Sequence, residues 1–331
     1  MKNIVGVGIV FCLGVIGLFY FHPLELANDS GKPSVRIKIA VSQTPLSSPF
    51  IVASHFNLFE KRNLNIEVVP CFGGVACAEA LLNDEVDFAT ASESVVMFKS
   101  FEYQDIALLT CFVESGSDLK LLTKSISNIR SVSDLKGKRV GIVKASASEF
   151  YFDSLLIANN LKAMALERVY LPPQELNRAL LEGQVDAVSV WEPYGYLLMS
   201  TSEEILNLSL DGIYQLTFNL LTRDATEAQL SDETVEILTV LENSIEWMTN
   251  NPKQAQDIVA KALDIPSAQL AWQWEDYTFR LSIGNALLSN LQLQSRWAID
   301  SNLVEGSVPD FRQVLSPRAL EQVLHSQVRR P

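Results

Sequence analysis

The sequence predicts an α/β fold with largely parallel sheets, arranged as two lobes and preceded by an apolar N-terminal helix. Three observations support this fold class. Strand-like and helix-like stretches alternate from Ser34 to about Arg223, which is typical of parallel strands joined by crossover helices. The length of 331 residues suits about two domains. Two segments of the alternating region, residues 78–93 and 177–192, also share one helix–turn–strand pattern.

The N-terminal helix is predicted from residues 4–21, which include no charged side chain. At about 1.5 Å per residue they span roughly 27 Å, close to the ~30 Å hydrocarbon core of a bilayer. Lys2 precedes the stretch and Glu25 follows it, so the positive-inside bias exports the rest of the chain. Residues 1–22 are therefore a signal peptide or an uncleaved membrane anchor, and residues 23–34 are a linker. Either reading predicts a periplasmic or other extracytoplasmic location.

The alternating region divides into two units. In the first, strands are predicted over residues 35–41, 64–70, 86–91 and 105–112, with helices over 50–61, 76–82 and from Glu93. In the second, strands are predicted over 138–144, 167–172, 185–191 and 214–223, with helices over 149–161, 174–181 and from Pro193. After Asp224 the pattern becomes helical, since apolar residues recur at helical spacing from Leu238 to Met248.

Composition excludes several function classes. The 39 acidic and 26 basic residues give a net charge of −13, so no basic stripe is available to neutralise nucleic-acid phosphates. The four cysteines form no Cys-x-x-Cys pair, and P-loop, His-Glu-x-x-His and Gly-x-Ser-x-Gly patterns are absent from the sequence. We therefore expect no metal, no cofactor and no catalytic residues.

The two similar segments indicate where a ligand would bind. Residues 78–93 align without gaps to residues 177–192, and the alignment pairs Glu93 with Glu192. Each segment ends where a buried strand leads into a helix. Such strand ends form the crevices in which open α/β sheets bind ligands. Convergent helix–turn–strand patterning explains the same matches without common ancestry.

Four local strings occur in this order along the chain: FNLFEKRNLNIEVVP, ALLNDEVDFATASE, SVSDLKGKRVGI and VWEPY. In sequence and in order they resemble segments of the nitrate, sulfonate and taurine solute-binding proteins of ABC importers. The resemblance covers about residues 35–200. It implies a periplasmic-binding-protein type II fold: lobe 1 from residues 35–123 and 222–331, and lobe 2 from residues 124–221. Asn57 and Asn63 stand where the family has glycines, and asparagine also tolerates the left-handed conformation.

The resemblance implies hinges near residues 123–127 and 221–224, with a small polar ligand held between the lobes and delivered to a membrane permease. We expect a monomer. The residues expected to face the ligand, on family position and on their chemistry, lie in loops after the strands: Ser42, Gln43, Thr44, Phe72, Gly73, Gly74, Ser92, Glu93, Ser146, Trp191 and Glu192.

Each of these residues also has a purely structural explanation. Ser146 and Glu149 fit a capping box, the glycines fit a tight turn, and Trp191 fits a core position. If Glu93 and Glu192 do face the ligand, they would repel a bare anion, which favours an amine-bearing or nitrogen-heterocyclic solute over nitrate or an alkanesulfonate. Cys71 and Cys77 flank the Gly-Gly turn and form either a disulfide or two buried thiols.

Two other functions compete with transport. A membrane-tethered sensor of the same fold would keep the binding site but would need no permease. An enzyme like the thiamine-pyrimidine synthases, which share the fold, would need a lysine and a histidine where this chain has Ala91 and Val95. We therefore predict a binding protein and not an enzyme.

Overall fold

The computed structural model describes residues 35–328. The predicted N-terminal helix over residues 4–21 and the linker over residues 23–34 lie outside these residues. Among the helices that the structure describes, none is both long enough and apolar enough to cross a membrane.

The first sheet has six strands in the order β11-β4-β10-β3-β1-β2. β1 runs parallel to β2 and β3, whereas β10 is antiparallel to both β3 and β4, and β11 is antiparallel to β4. The strands are β1 Arg36–Ser42, β2 Asn65–Cys71, β3 Phe88–Ser92, β4 Ile106–Ser115, β10 Leu216–Arg223 and β11 Tyr277–Ser282.

The second sheet has five strands in the order β7-β6-β8-β5-β9. β6 runs parallel to β7 and β8, and β5 is antiparallel to β8 and β9. The strands are β5 Leu119–Lys124, β6 Arg139–Ile142, β7 Glu167–Tyr170, β8 Ala187–Trp191 and β9 Ile205–Asn207.

The chain changes sheet at points other than the predicted ones. β5 precedes the predicted boundary at residue 124 but pairs in the second sheet, and most of β10 precedes residue 222 but pairs in the first. The crossings are therefore the segments 116–118 and 208–215, and not the predicted hinges at 123–127 and 221–224. The sequence of an apolar strand such as β5 suits either sheet. Its pairing partners are distant in the sequence, so the local pattern does not show which sheet it joins.

Helices cover the faces of both sheets and form the C-terminal part of the chain. Each sheet contributes buried aliphatic side chains to closely packed apolar clusters. The helices are α1 Ser48–His55, α2 Gly74–Leu82, α3 Glu93–Lys99, α4 Ala147–Ala158, α5 Pro173–Leu181, α6 Tyr194–Thr201, α7 Asp224–Gln229, α8 Ser231–Asn250, α9 Pro252–Leu263, α10 Ser267–Trp274, α11 Asn285–Asp300, α12 Phe311–Val314 and α13 Arg318–Val328.

In the region after β1, Asn57 and Asn63 end short helical segments. The predicted helix over residues 50–61 ends early, because α1 stops at His55 and Asn57 then adopts a left-handed φ of 52°. A short 3-10 turn follows, and it ends at Asn63 with a φ of 58°. Both asparagines therefore take the conformation that glycine would supply, as the sequence predicts.

The two aligned segments have the same architecture in the structure. Residues 78–93 run from α2 through a turn into β3, and residues 177–192 run from α5 through a turn into β8. Each turn contains a left-handed residue, Asp84 at φ 58° and Gly183 at φ 75°. Glu93 and Glu192 consequently follow the ends of corresponding strands in the two sheets.

Candidate functional site

The carboxyl ends of β1, β2 and β3 lie at one edge of the first sheet. The parallel register places Ser42 beside Cys71 and Ala40 beside Ala89, so the loops after these strands begin at the same level. This edge brings together seven of the residues predicted to bind the ligand: Ser42, Gln43, Thr44, Phe72, Gly73, Gly74 and Ser92.

Hydrogen bonds fix the backbone at this edge. The buried Ser42 donates its N–H to Thr90 Oγ1 over 2.9 Å, and Gln43 donates its N–H to the carbonyl of Cys71 over 2.9 Å. The Thr44 hydroxyl oxygen accepts from the N–H of Leu46. The polar loop after β1 is therefore held against the end of β2.

The start of α2 reaches the same edge because of a glycine. A Cβ on Gly74 would lie 2.9 Å from Ala91 Cα and 3.2 Å from Ser92 N, so only glycine lets α2 begin against the end of β3. No side chain caps this helix, and its first turn contains no acidic residue. Its leading N–H groups, which have no acceptor within the helix, are thus available to an anion.

Cys71 and Cys77 form a disulfide with 5.5 Å between their Cα atoms. The sequence leaves open whether these cysteines form a disulfide or two buried thiols, and the structure has the disulfide. It joins the end of β2 to the first turn of α2 across the exposed residues Phe72 and Gly73. The third described cysteine, Cys111, is a buried free thiol, and burial raises its pKa to about 12.

The matching edge of the second sheet carries Ser146 and Trp191, since β6 and β8 are parallel and pair Gly141 with Val188. Ser146 caps α4, accepting from the N–H of Glu149, and Glu149 Oε2 accepts from the N–H of Ala145 over 2.7 Å. The Ser146 half of the predicted capping box is therefore formed, whereas Glu149 accepts from the N–H of Ala145, one residue before the cap, and not from that of Ser146. The start of α4 therefore already holds a carboxylate, unlike the start of α2.

Glu192 lies at this edge but is buried and bound by protein donors. Its Oε2 accepts from the N–H of Tyr196 over 2.8 Å and from Gln273 Nε2 over 3.4 Å, and its Oε1 accepts from Trp272 Nε1 over 3.3 Å. Lys120 Nζ lies 4.0 Å from Oε1. The carboxylate thus joins the second sheet to α10, and its pKa is raised by burial.

Asp118, in the first crossing, completes this buried polar group. Its carbonyl accepts from the N–H of Glu192, and its carboxyl group accepts from the Tyr277 hydroxyl over 3.4 Å. Burial raises the pKa of Asp118 to about 7, and the nearby charge of Glu192 adds to the shift. No local motif in the sequence marks four of these residues, because their partners are distant in the chain: Asp118, Trp272, Gln273 and Tyr277.

Glu93 is fully buried within the first sheet's own layer. Its Oε2 accepts from the N–H of Thr217 over 2.8 Å and from the Thr217 hydroxyl, and its Oε1 accepts from Gln294 Nε2 over 3.0 Å. Burial raises its pKa to about 7. In this structure the carboxylate of Glu93 is therefore bound by groups of β10 and α11 and has no exposed surface, and its predicted contact with a ligand stays a prediction.

The two sheet edges are connected by packed side chains. One contiguous apolar cluster contains Val41 and Leu46 from the first edge and Ile142, Ala147 and Phe150 from the second. A second link is polar, since Trp297 in α11 donates its indole N–H to Asp153 in α4 over 2.8 Å. Within residues 35–328, no group of three or more His, Cys, Asp or Glu side chains is arranged to hold a metal ion.

Comparison with known proteins identifies relatives over most of the chain. The NMT1/THI5-like family matches residues 44–255. A Bacillus subtilis (strain 168) protein whose name refers to aliphatic sulfonate binding is 25% identical over 269 residues, covering 78% of this chain and 79% of that protein.

Solved structures show the same fold. The periplasmic aliphatic sulphonate-binding protein of Escherichia coli matches with a TM-score of 0.75 and 21% identity, over 85% of this chain and 92% of that one. The alkanesulfonate-binding protein of Xanthomonas axonopodis pv. citri, solved bound to MOPS, matches with a TM-score of 0.74 and 18% identity, over 87% of this chain and 100% of that one.

Proposed function

The chain belongs to the NMT1/THI5-like family, and on that premise we propose that it is an extracytoplasmic solute-binding protein. It captures an aliphatic sulfonate between the edges of its two sheets and delivers it to an ABC importer. The sulfonate class is taken from the binding proteins that it resembles in sequence and in fold. Closure of the two sheets around the solute would occur about the crossings at 116–118 and 208–215.

The observation that carries the proposal is the uncapped start of α2. Its N–H groups lie beside Ser92 and near the polar loop at Ser42, where an anion gains from both the free donors and the helix dipole. The corresponding start of α4 is occupied by Glu149. We therefore place the sulfonate head at α2 and the first sheet's edge.

The two acids no longer argue against an anionic ligand. Glu93 and Glu192 each accept hydrogen bonds from protein groups, and both are buried. Neither carboxylate is directed at an open site. An amine-bearing solute is favoured only if these two acids face the ligand, so an alkanesulfonate is the better candidate.

Binding is tested by titrating the full chain, purified in detergent so that its apolar N-terminal segment is kept. The solutes are methanesulfonate, butanesulfonate, taurine, nitrate, an aminopyrimidine and butanol, the last as an uncharged control. We expect saturable binding of butanesulfonate and none of butanol. A sulfonate at 100 times its dissociation constant should stabilise the protein by about 2.7 kcal/mol. If the aminopyrimidine binds and no sulfonate does, the proposed ligand class is wrong and a nitrogen heterocycle takes its place.

Delivery is tested with a candidate ABC importer from the same organism, reconstituted in vesicles. The sulfonate-loaded protein should stimulate the importer's ATPase above the ligand-free protein. Saturable binding without stimulation would favour the other candidate, a sensor of the same fold that needs no permease.

A further inference from the structure

Tyr214 combines burial with an unpaired hydroxyl. It lies in the second crossing, and only 6% of its surface is exposed. Among the residues that the structure describes, its hydroxyl oxygen has no hydrogen-bond partner. A buried hydroxyl without a hydrogen-bond partner destabilises the folded protein by its full desolvation free energy. Such a group in a folded protein therefore needs an explanation.

The Tyr214 ring connects the second crossing, which leads into β10 of the first sheet, to a helix that packs on the second sheet. The Tyr214 ring packs edge-on against Phe150, with 5.5 Å between ring centroids, and Phe150 is in the first turn of α4. Phe150 also packs against Trp297 of α11, at 5.1 Å. The neighbouring Gln215 lines an open depression of about 460 Å³ beside the two crossings. Tyr214 itself is not among the residues that line this depression.

Two of the other buried polar atoms without a partner, in Asn219 and Gln294, have a local explanation. The unpaired oxygens of Asn219 and Gln294 belong to amides whose NH2 groups already donate to neighbours within the first sheet's layer. The hydroxyl of Tyr214 is that side chain's only polar group, as are the unpaired hydroxyls of Ser47 and Ser295, but Tyr214 alone of these three lies in a crossing between the sheets. The nearby Tyr151 is also buried, yet its hydroxyl accepts from the N–H of Leu210 over 3.2 Å. Two buried tyrosines therefore pack at this crossing, and of the two hydroxyls only that of Tyr214 has no hydrogen-bond partner.

We infer that Tyr214 contacts the bound solute and that its hydroxyl donates a hydrogen bond to an oxygen of the sulfonate head. This inference rests on the proposed function. A phenol is a neutral donor below its usual pKa near 10, so it can satisfy an anion without a counter-charge. The hydroxyl would gain its partner only when the solute is present, which makes the interaction specific to the loaded state.

The test compares Tyr214→Phe and Tyr151→Phe with the wild-type full chain. Butanesulfonate affinity is measured by calorimetry, and the ligand-free melting temperature by circular dichroism. For Tyr214→Phe we expect at least a tenfold loss of affinity with a melting temperature equal to or above the wild type, because only an unpaired hydroxyl is removed. For Tyr151→Phe we expect the reverse: a lower melting temperature, because Leu210 loses its acceptor, and affinity within about twofold.

Each other outcome overturns the inference. Wild-type affinity in Tyr214→Phe would show that the hydroxyl does not contact the solute. A lower melting temperature in the ligand-free variant would show that the hydroxyl is already paired in the free protein. Failure of the wild type to bind any sulfonate would overturn the proposed function and the inference together, and this result is recognised before any variant is compared.

Discussion

Trp297 donates its indole N–H to Asp153 over 2.8 Å, and this hydrogen bond joins α11, which packs on the first sheet, to α4, which packs on the second. Asp153 is also paired with Arg168, so its charge is held by two donors. Trp272 makes a comparable bond to Glu192 over 3.3 Å. Two tryptophans of the C-terminal helices therefore donate to two carboxylates of the second lobe.

We predict that Trp297→Phe loosens the connection between the sheets. A hydrogen bond to a charged group contributes about 1.5–3 kcal/mol, and Arg168 remains on Asp153, so the free energy of unfolding should fall by about 1–2 kcal/mol. Small-angle X-ray scattering of the ligand-free protein should show a larger radius of gyration. Trp247→Phe is the control, because that ring packs against Phe56 within the first lobe. Equal radii for both variants would contradict the prediction.

Stability should rise as the pH is lowered from 8 towards 5. The pKa of Glu93 is raised from 4.5 to about 7 in the folded protein, so the folded state binds the proton more tightly than the unfolded state. The stabilisation is complete below about pH 4.5 and is lost as the pH rises through about 7. For this one group the difference is up to about 3 kcal/mol, and the raised pKa of Asp118 acts in the same direction.

Glu93→Gln tests this assignment, because glutamine does not titrate. Urea midpoints at pH 5 and pH 8 should differ less in the variant than in the wild type. Glu79→Gln, at a largely exposed side chain, is the matched control and should keep the wild-type difference. An unchanged difference in Glu93→Gln would assign the pH dependence to other groups.

Local sequence patterns predict many of the helices, strands and turns. They do not predict which distant segments come into contact. The helix–turn–strand pair ending at Glu93 and Glu192 follows from sequence spacing, and so does the helix cap made by Ser146, because all of the residues involved are neighbours in the chain. By contrast, β5 pairs with residues more than 60 positions away in the sequence; Thr123, for example, pairs with Ala187. The sheet that β5 joins therefore cannot be predicted from its own residues. Gln273 bonds to Glu192 across 81 positions, and its own helix carries no signal of that contact.

Glu192→Gln should separate a structural role from a ligand role. An amide offers one accepting oxygen where the carboxylate offers two, so one donor among Tyr196, Trp272 and Gln273 would face an NH2 group. We expect the free energy of unfolding to fall by about 1–3 kcal/mol, with butanesulfonate affinity within about twofold of the wild type. Denaturant titration and calorimetry measure the two quantities. Unchanged stability with a large loss of affinity would return Glu192 to the ligand site.

Gly74→Ala should weaken binding through the backbone. The new Cβ would lie 2.9 Å from Ala91 Cα, and neither backbone can yield without moving the start of α2 away from β3. If the N–H groups of α2 hold the sulfonate head, this shift should lower affinity more than tenfold and also reduce the melting temperature. Gly284→Ala is the control, since nothing lies within 4 Å of its added Cβ and its φ of −178° is extended. A Gly74→Ala protein that melts earlier but binds butanesulfonate normally would place the anion away from α2.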